Sequence, residues 1–178
     1  MYYFISEINY SHLKNLDKNI SLIWRNKNKE TSIETLMKLR SFCNKDNRKL
    51  YISNNIKLAN KIKADGLYIS SNNKDLLLKS NKLKTKFKIL GSAHNLNEIK
   101  VKELQNVSEI FLSPLFKEKT NKQLDIYKYL NLKKTTKMKD ISLGGINKKN
   151  MFKHKMKTGH IILEKLSCFQ IKDEFDFL

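Results

Sequence analysis

Apolar residues in this chain come in short runs separated by longer stretches of helical period. The runs fall at residues 2–6, 20–25, 49–53, 66–69, 87–91, 110–112, 141–143 and 160–163. Most are continuous rather than alternating, as expected for strands buried on both faces of a parallel sheet. Helical patterns lie between them. Ile33, Leu36, Met37 and Leu39 share one face after Thr31 and Glu34, which stand at capping-box spacing. Residues 55–63, 96–105, 124–130 and 148–157 continue the alternation, and Asn95 and Glu98 again have cap spacing. The crossover at 75–83 has no clear period. A short closing helix is predicted over 168–178.

Eight strand–helix repeats predict a compact (βα)8 TIM barrel with short helices, and residues 1–178 read as a single domain. A doubly wound open sheet is the competing architecture, but it leaves two or three runs without a place. Pro114 is the sole proline and no Gly/Ser-rich linker divides the chain.

Near the seventh run stands Gly144-Gly145, followed by Ile146 and Asn147. With 5 glycines in 178 residues, an adjacent pair is distinctive. Bare backbone followed by a helix start offers N–H groups to an anion. A plain strand-to-helix turn would use the same residues. The barrel rule separates the two readings, because phosphate commonly sits on the loops after strands 7 and 8. Polar residues gather at the other strand ends too: Arg25 and Lys27, Ser53 and Asn54, Ser70 and Ser71, Ser92 and His94, Ser113.

Charge fits an anionic ligand. Lys and Arg number 36 against 17 Asp and Glu, a net +19. Such a balance can mark a nucleic-acid binder. Here the lysines are spread along the whole chain, with no basic block interleaved with aromatics, which points away from nucleic acid. Cys43 and Cys168 form no disulfide framework or zinc motif. No apolar run approaches membrane-span length, and the apolar start lacks a basic lead, so the expected location is the cytoplasm.

The strand-end residues carry a family resemblance extending from about residue 21 to 167. Arg25-Asn26-Lys27 matches an Arg-x-Lys after the second strand. Ser53-Asn54-Asn55 precedes Leu58-Ala59, and Ala64-Asp65-Gly66-Leu67-Tyr68-Ile69 matches the fourth strand. Ser92-Ala93-His94-Asn95 matches Ser-x-His-Asn, Ser113-Pro114-Leu115-Phe116 the sixth strand, and Gly144-Gly145-Ile146 the seventh. In this order the motifs resemble the thiamine-phosphate synthase and thiazole tautomerase family, of which the chain looks like a short, divergent branch.

The resemblance implies a transferase that joins a hydroxymethylpyrimidine pyrophosphate to a thiazole phosphate and releases pyrophosphate. It implies that Arg25, Lys27, Ser92 and Lys122 (or Lys119) act on the pyrophosphate. It places Gly144, Gly145, Ser53, Asn54, Ser113, Thr120 and Lys165 on the substrates. It also implies Mg2+, held in the family by carboxylates after the third and fourth strands. Asn54 and Asn73 stand at those places here, and Asp75 is the nearest carboxylate for the metal. A non-catalytic or tautomerase-like binder of a phosphorylated heterocycle is the second reading, and a basic nucleic-acid-binding protein the third. The expected partners are phosphorylated pyrimidine and thiazole molecules, with no membrane; a homodimer is compatible with either of the first two.

Overall fold

The structure, a computed structural model, describes residues 1–25, 31–78, 87–113 and 126–142. In chain order the elements are β1 (Tyr2–Ile5), α1 (Tyr10–Asn15), β2 (Ser21–Trp24), α2 (Ile33–Lys45), β3 (Leu50–Ser53), α3 (Ile56–Lys61) and β4 (Gly66–Ile69). A 3-10 turn (Leu76–Leu78) follows, then β5 (Lys88–Ala93), α4 (Leu96–Leu104), β6 (Glu109–Leu112), α5 (Ile126–Lys134) and β7 (Lys139–Ser142). The strand predicted at 160–163 and the helices predicted at 148–157 and 168–178 lie outside the described residues.

The local sequence explains how each helix is bounded. Asn9, Ser32, Asn55 and Asn95 are N-caps, each accepting the N–H three residues on, at 2.9 to 3.2 Å. The cap of α2 is therefore Ser32, not Thr31, because Ser32 Oγ accepts from Thr35. At their ends, α2, α3 and α4 turn through Asn47, Lys63 and Asn106, all with φ between 52° and 57°. In each case the next residue donates back five positions: Arg48 to Cys43, Ala64 to Ala59, Val107 to Lys102. This is the Schellman closure, usually made with glycine, and in this glycine-poor chain asparagine and lysine serve. Helix α1 carries no readable period, since Leu13 is its one buried residue.

All six neighbouring strand pairs are parallel and the order is β1-β2-β3-β4-β5-β6-β7. The sheet is strongly curled. In a flat sheet β1 and β6 would stand about 24 Å apart, five spacings of ~4.8 Å. Instead the rings of Tyr2 and Phe111 approach to 5.4 Å and Phe4 lies 5.8 Å from Phe111. The inner face carries one residue or more from every described strand: Tyr2, Ile23, Tyr51, Tyr68, Leu90, Phe111 and Ile141, with Phe4 packed against them. The alternate residues, among them Leu22, Trp24, Ile52, Leu67, Ile110 and Leu112, form the outer core with the helices. Trp24 is thus a packing residue. Seven curled parallel strands in sequential order fit a TIM-like fold; the closed eight-stranded barrel expected from the sequence rests on the run at 160–163, which lies outside the described residues.

The Asp65-Gly66 pair is structural. Asp65 accepts the Leu50 N–H at 2.8 Å and pairs with Arg40. A Cβ on Gly66 would lie 2.0 Å from the Lys88 carbonyl oxygen and 2.8 Å from the Tyr51 ring. Only glycine lets β4 pack there.

Candidate active site

Parallel strands in one sheet deliver all their C-terminal ends to one rim. Period two then decides what faces inward there. Two residues beyond the inner-core residues Ile23, Tyr51, Leu90 and Phe111 come Arg25, Ser53, Ser92 and Ser113. An aromatic and aliphatic floor therefore carries a polar layer of one guanidinium and three hydroxyls. The Arg25 N–H donates to Ile5 at 2.8 Å and the Ser113 N–H to Ala93 at 3.3 Å, so both continue the ladder past the strand ends.

Ser92 lies within β5, which runs to Ala93 rather than stopping at residue 91. Its Oγ accepts from the buried Tyr68 hydroxyl at 2.9 Å. That bond commits the serine's own O–H to donate elsewhere, as an anion requires. Tyr68 was missed by sequence reasoning; the available signal was a residue with a polar tip at an inward strand position. His94 sits just past the end of β5, its Nδ1 hydrogen-bonded to the Ser113 carbonyl oxygen at 2.5 Å. The ring thereby ties the ends of β5 and β6 together.

The loops after β3 and β4 also meet. Asn54, at φ 56°, accepts on Oδ1 from the Ser70 N–H (2.9 Å), the Ser70 hydroxyl (3.3 Å) and the Asn73 amide (3.2 Å). Its Nδ2 donates to Ser70 Oγ at 2.9 Å. Asp75 turns to its own loop, where Oδ1 accepts the Leu77 N–H at 2.9 Å. Mg2+ takes hard oxygen ligands, usually with one or two carboxylates. The Asn54 oxygen already accepts three donors, and no three His, Cys, Asp or Glu side chains cluster among the described residues. These residues do not fit a magnesium site.

A further fixture was invisible in the sequence. Lys102 on α4 is fully buried, donating to the Asn73 carbonyl at 2.7 Å and Gln105 Oε1 at 2.9 Å. Gln105 Nε2 in turn donates to the Asn73 and Asp75 carbonyls at 3.1 and 3.0 Å. Burial lowers the Lys102 amine to about 8. A Cβ on Gly91 would lie 3.1 Å from Lys102 Cδ and 2.9 Å from Val107, so that glycine keeps room for the lysine stem. A lysine in a lysine-rich helix gives no sequence signal of burial.

Of the predicted site residues, Arg25, Ser53, Asn54, Ser92 and Ser113 share the C-terminal rim, and Asp75 lies on the loop beyond β4. Lys27, Lys119, Thr120, Lys122, Gly144, Gly145 and Lys165 lie outside the described residues.

The model of the thiamine monophosphate synthase family matches residues 14–159. The chain belongs to that family. Among solved structures, thiamine phosphate pyrophosphorylase from Pyrococcus furiosus is similar in fold, with a TM-score of 0.65 at 15% identity over 89% of this chain and 81% of that one. No curated protein matches in sequence. In this member of the thiamine monophosphate synthase family, the amides of Asn54 and Asn73 stand where the resemblance leads one to expect carboxylates. No helix among the described residues is long and apolar enough to cross a membrane.

Proposed function

We propose that this family member binds a pyrimidine methyl diphosphate and a thiazole phosphate at the C-terminal rim and joins them. In the reaction the bond from the pyrimidine methylene carbon to the diphosphate oxygen breaks, its electron pair leaving on oxygen. The thiazole nitrogen then donates its lone pair to that carbon and a C–N bond forms. The observation that carries this reading is the polar layer of Arg25, Ser53, Ser92 and Ser113 above an aromatic floor. Arg25 can take phosphate oxygens through two parallel N–H bonds, and the Ser92 hydroxyl, oriented by Tyr68, donates beside it. The apolar floor keeps water from the cationic carbon. Lys27, Thr120, Lys122 and Lys165 would add to the anionic grip, and Gly144 and Gly145 would cradle the thiazole phosphate.

The expected Mg2+ has no fitting donor set among the described residues, so no step is assigned to it. Product formation from both phosphorylated precursors, followed by mass spectrometry with Mg2+ and with chelator, tests the reading. Turnover in either condition, lowered about 100-fold by Arg25→Ala, supports it. Absence of product at high enzyme concentration sinks it.

The amide cluster favours one other reading, a binder of a phosphorylated heterocycle that performs no transfer. Calorimetry with the thiazole phosphate alone supports this if binding is tight and no product forms with the second precursor.

A further inference from the structure

The opposite end of the curled sheet also holds a polar cavity, of about 300 Å³, at the N-terminal ends of the strands. That is the lower bound of small-ligand pockets. Its floor is Glu109, 5% exposed, which pairs with Lys88 at 2.7 Å and Lys139 at 3.0 Å and accepts the Tyr2 hydroxyl at 2.6 Å. Two ammonium groups against one carboxylate already leave the floor positive. Lys18 and Lys49 line the same cavity from the opposite wall, and neither makes an ion pair among the described residues. Among the described side chains that line it, four lysines against one carboxylate give a net +3.

This wall is held rigidly. The buried Arg48 guanidinium donates to the carbonyls of Asp17 (2.9 Å), Ile20 (3.1 Å), Leu16 (3.1 Å) and Leu13 (3.4 Å). One side chain thus fixes the loop carrying Lys18 and Asn19 against the loop carrying Asn47 and Lys49. The two loops therefore present Lys18 and Lys49 to the same cavity in a fixed relation. The amides of Asn19 and Asn47, which also line the cavity, can donate to the same anion.

We propose that this N-terminal cavity is a second anion site, separate from the rim, that takes a small polyphosphate between Lys18 and Lys49 on one wall and Lys88 and Lys139 on the other. Its concave shape suits a chain of two or three phosphates. The wall lysines supply charge on opposite sides of the ligand, and at close range in a partly enclosed site that attraction is less screened than on open surface.

Nitrogen-15 NMR of the full chain titrated with inorganic tripolyphosphate tests this. The Asn19 and Asn47 signals should shift and saturate, with an affinity that falls as salt is raised. Lys18→Gln with Lys49→Gln should weaken that response by about tenfold or more, while Lys18→Arg with Lys49→Arg retains it. Both lysines are exposed, so the variants should keep the wild-type fold and rim activity. The proposal is overturned if these signals do not move at millimolar tripolyphosphate, or if the glutamine variant responds like wild type. It is equally overturned if an oligonucleotide binds these amides in preference to tripolyphosphate. Failure here leaves the reading of the rim untouched, because no rim residue lines this cavity.

Discussion

The Tyr68 hydroxyl donates to Ser92 Oγ at 2.9 Å across the inner face of the sheet. A strand residue one place from the C-terminal end of β4 thereby sets the direction of a hydroxyl on β5. Tyr68→Phe removes that constraint while keeping the ring that packs on Phe4 and Phe111. Stability should fall by about 1 kcal/mol. Affinity for a phosphorylated precursor, measured by calorimetry, should fall several-fold. Unchanged affinity would remove Ser92 from the ligand's first contacts.

Asn54 and Asn73 bring two loop ends within 3.2 Å without any charge. In the wild type, Mg2+ should neither bind measurably at this position nor raise precursor affinity. Asn54→Asp with Asn73→Asp places two carboxylates there and should create a magnesium-dependent site, visible as heat in a metal titration. Tight magnesium binding by the wild type would contradict the amide reading.

Lys102 should matter for stability out of proportion to its residue type. Lys102→Met strips donors from the Asn73 carbonyl and Gln105, a loss of about 1–3 kcal/mol. The amine sits at about 8 when folded, lowered by burial, and near 10.4 when unfolded. Between those values the unfolded chain binds more protons, so stability from this group rises as pH rises from 8 toward 10. A neutral amine still offers two N–H groups to its two acceptors. The gap between wild type and Lys102→Met in urea unfolding should therefore widen over that range. A gap that narrows would mean the charge itself is favourable.

Glu109 should govern acid stability. Burial alone would raise its carboxyl, but hydrogen bonds from Lys88, Tyr2 and Lys139 outweigh it and hold the group below its ordinary value. Its contribution is then full above the unfolded value near 4.3 and lost as pH falls through the lower folded one. Glu109→Gln should cost about 1–2 kcal/mol near neutrality, and its melting temperature should converge on that of wild type below pH 4. A constant difference across that range would place the stabilisation in packing.

Much of the fold was legible because its determinants are local. The runs at 2–6, 20–25 and 66–69 became β1, β2 and β4 within a residue or two, since unbroken apolar runs have few alternatives to a doubly buried strand. Asn95 caps α4 as its spacing to Glu98 predicted. Where a signal was weak the reading slipped: α1 buries one leucine, and the capping box at Thr31 competed with Ser32 beside it. The polar rim was legible from position, as polar residues just past the apolar runs, at Arg25 and Ser113. Tyr68 and Lys102 were not, because a residue's partner 24 or 29 positions away leaves no trace in its own neighbourhood.

By itself the sequence determined the order of the strands and of most helices, the cap at Asn95, and the family, because each depends on neighbours along the chain or on motif order. Tertiary structure decided the rest. Only the curl of the sheet brings Tyr2 against Phe111 and Glu109, making an inner face with an aromatic floor. Only the meeting of two loops shows that the Asn73 amide donates to an Asn54 oxygen that also accepts from Ser70, an arrangement that does not fit magnesium. And only the clamp of Arg48 on four carbonyls holds the loops of Lys18 and Lys49 to one cavity. Charge patterns along a chain give totals; whether cations concentrate or disperse depends on where folding puts their backbones.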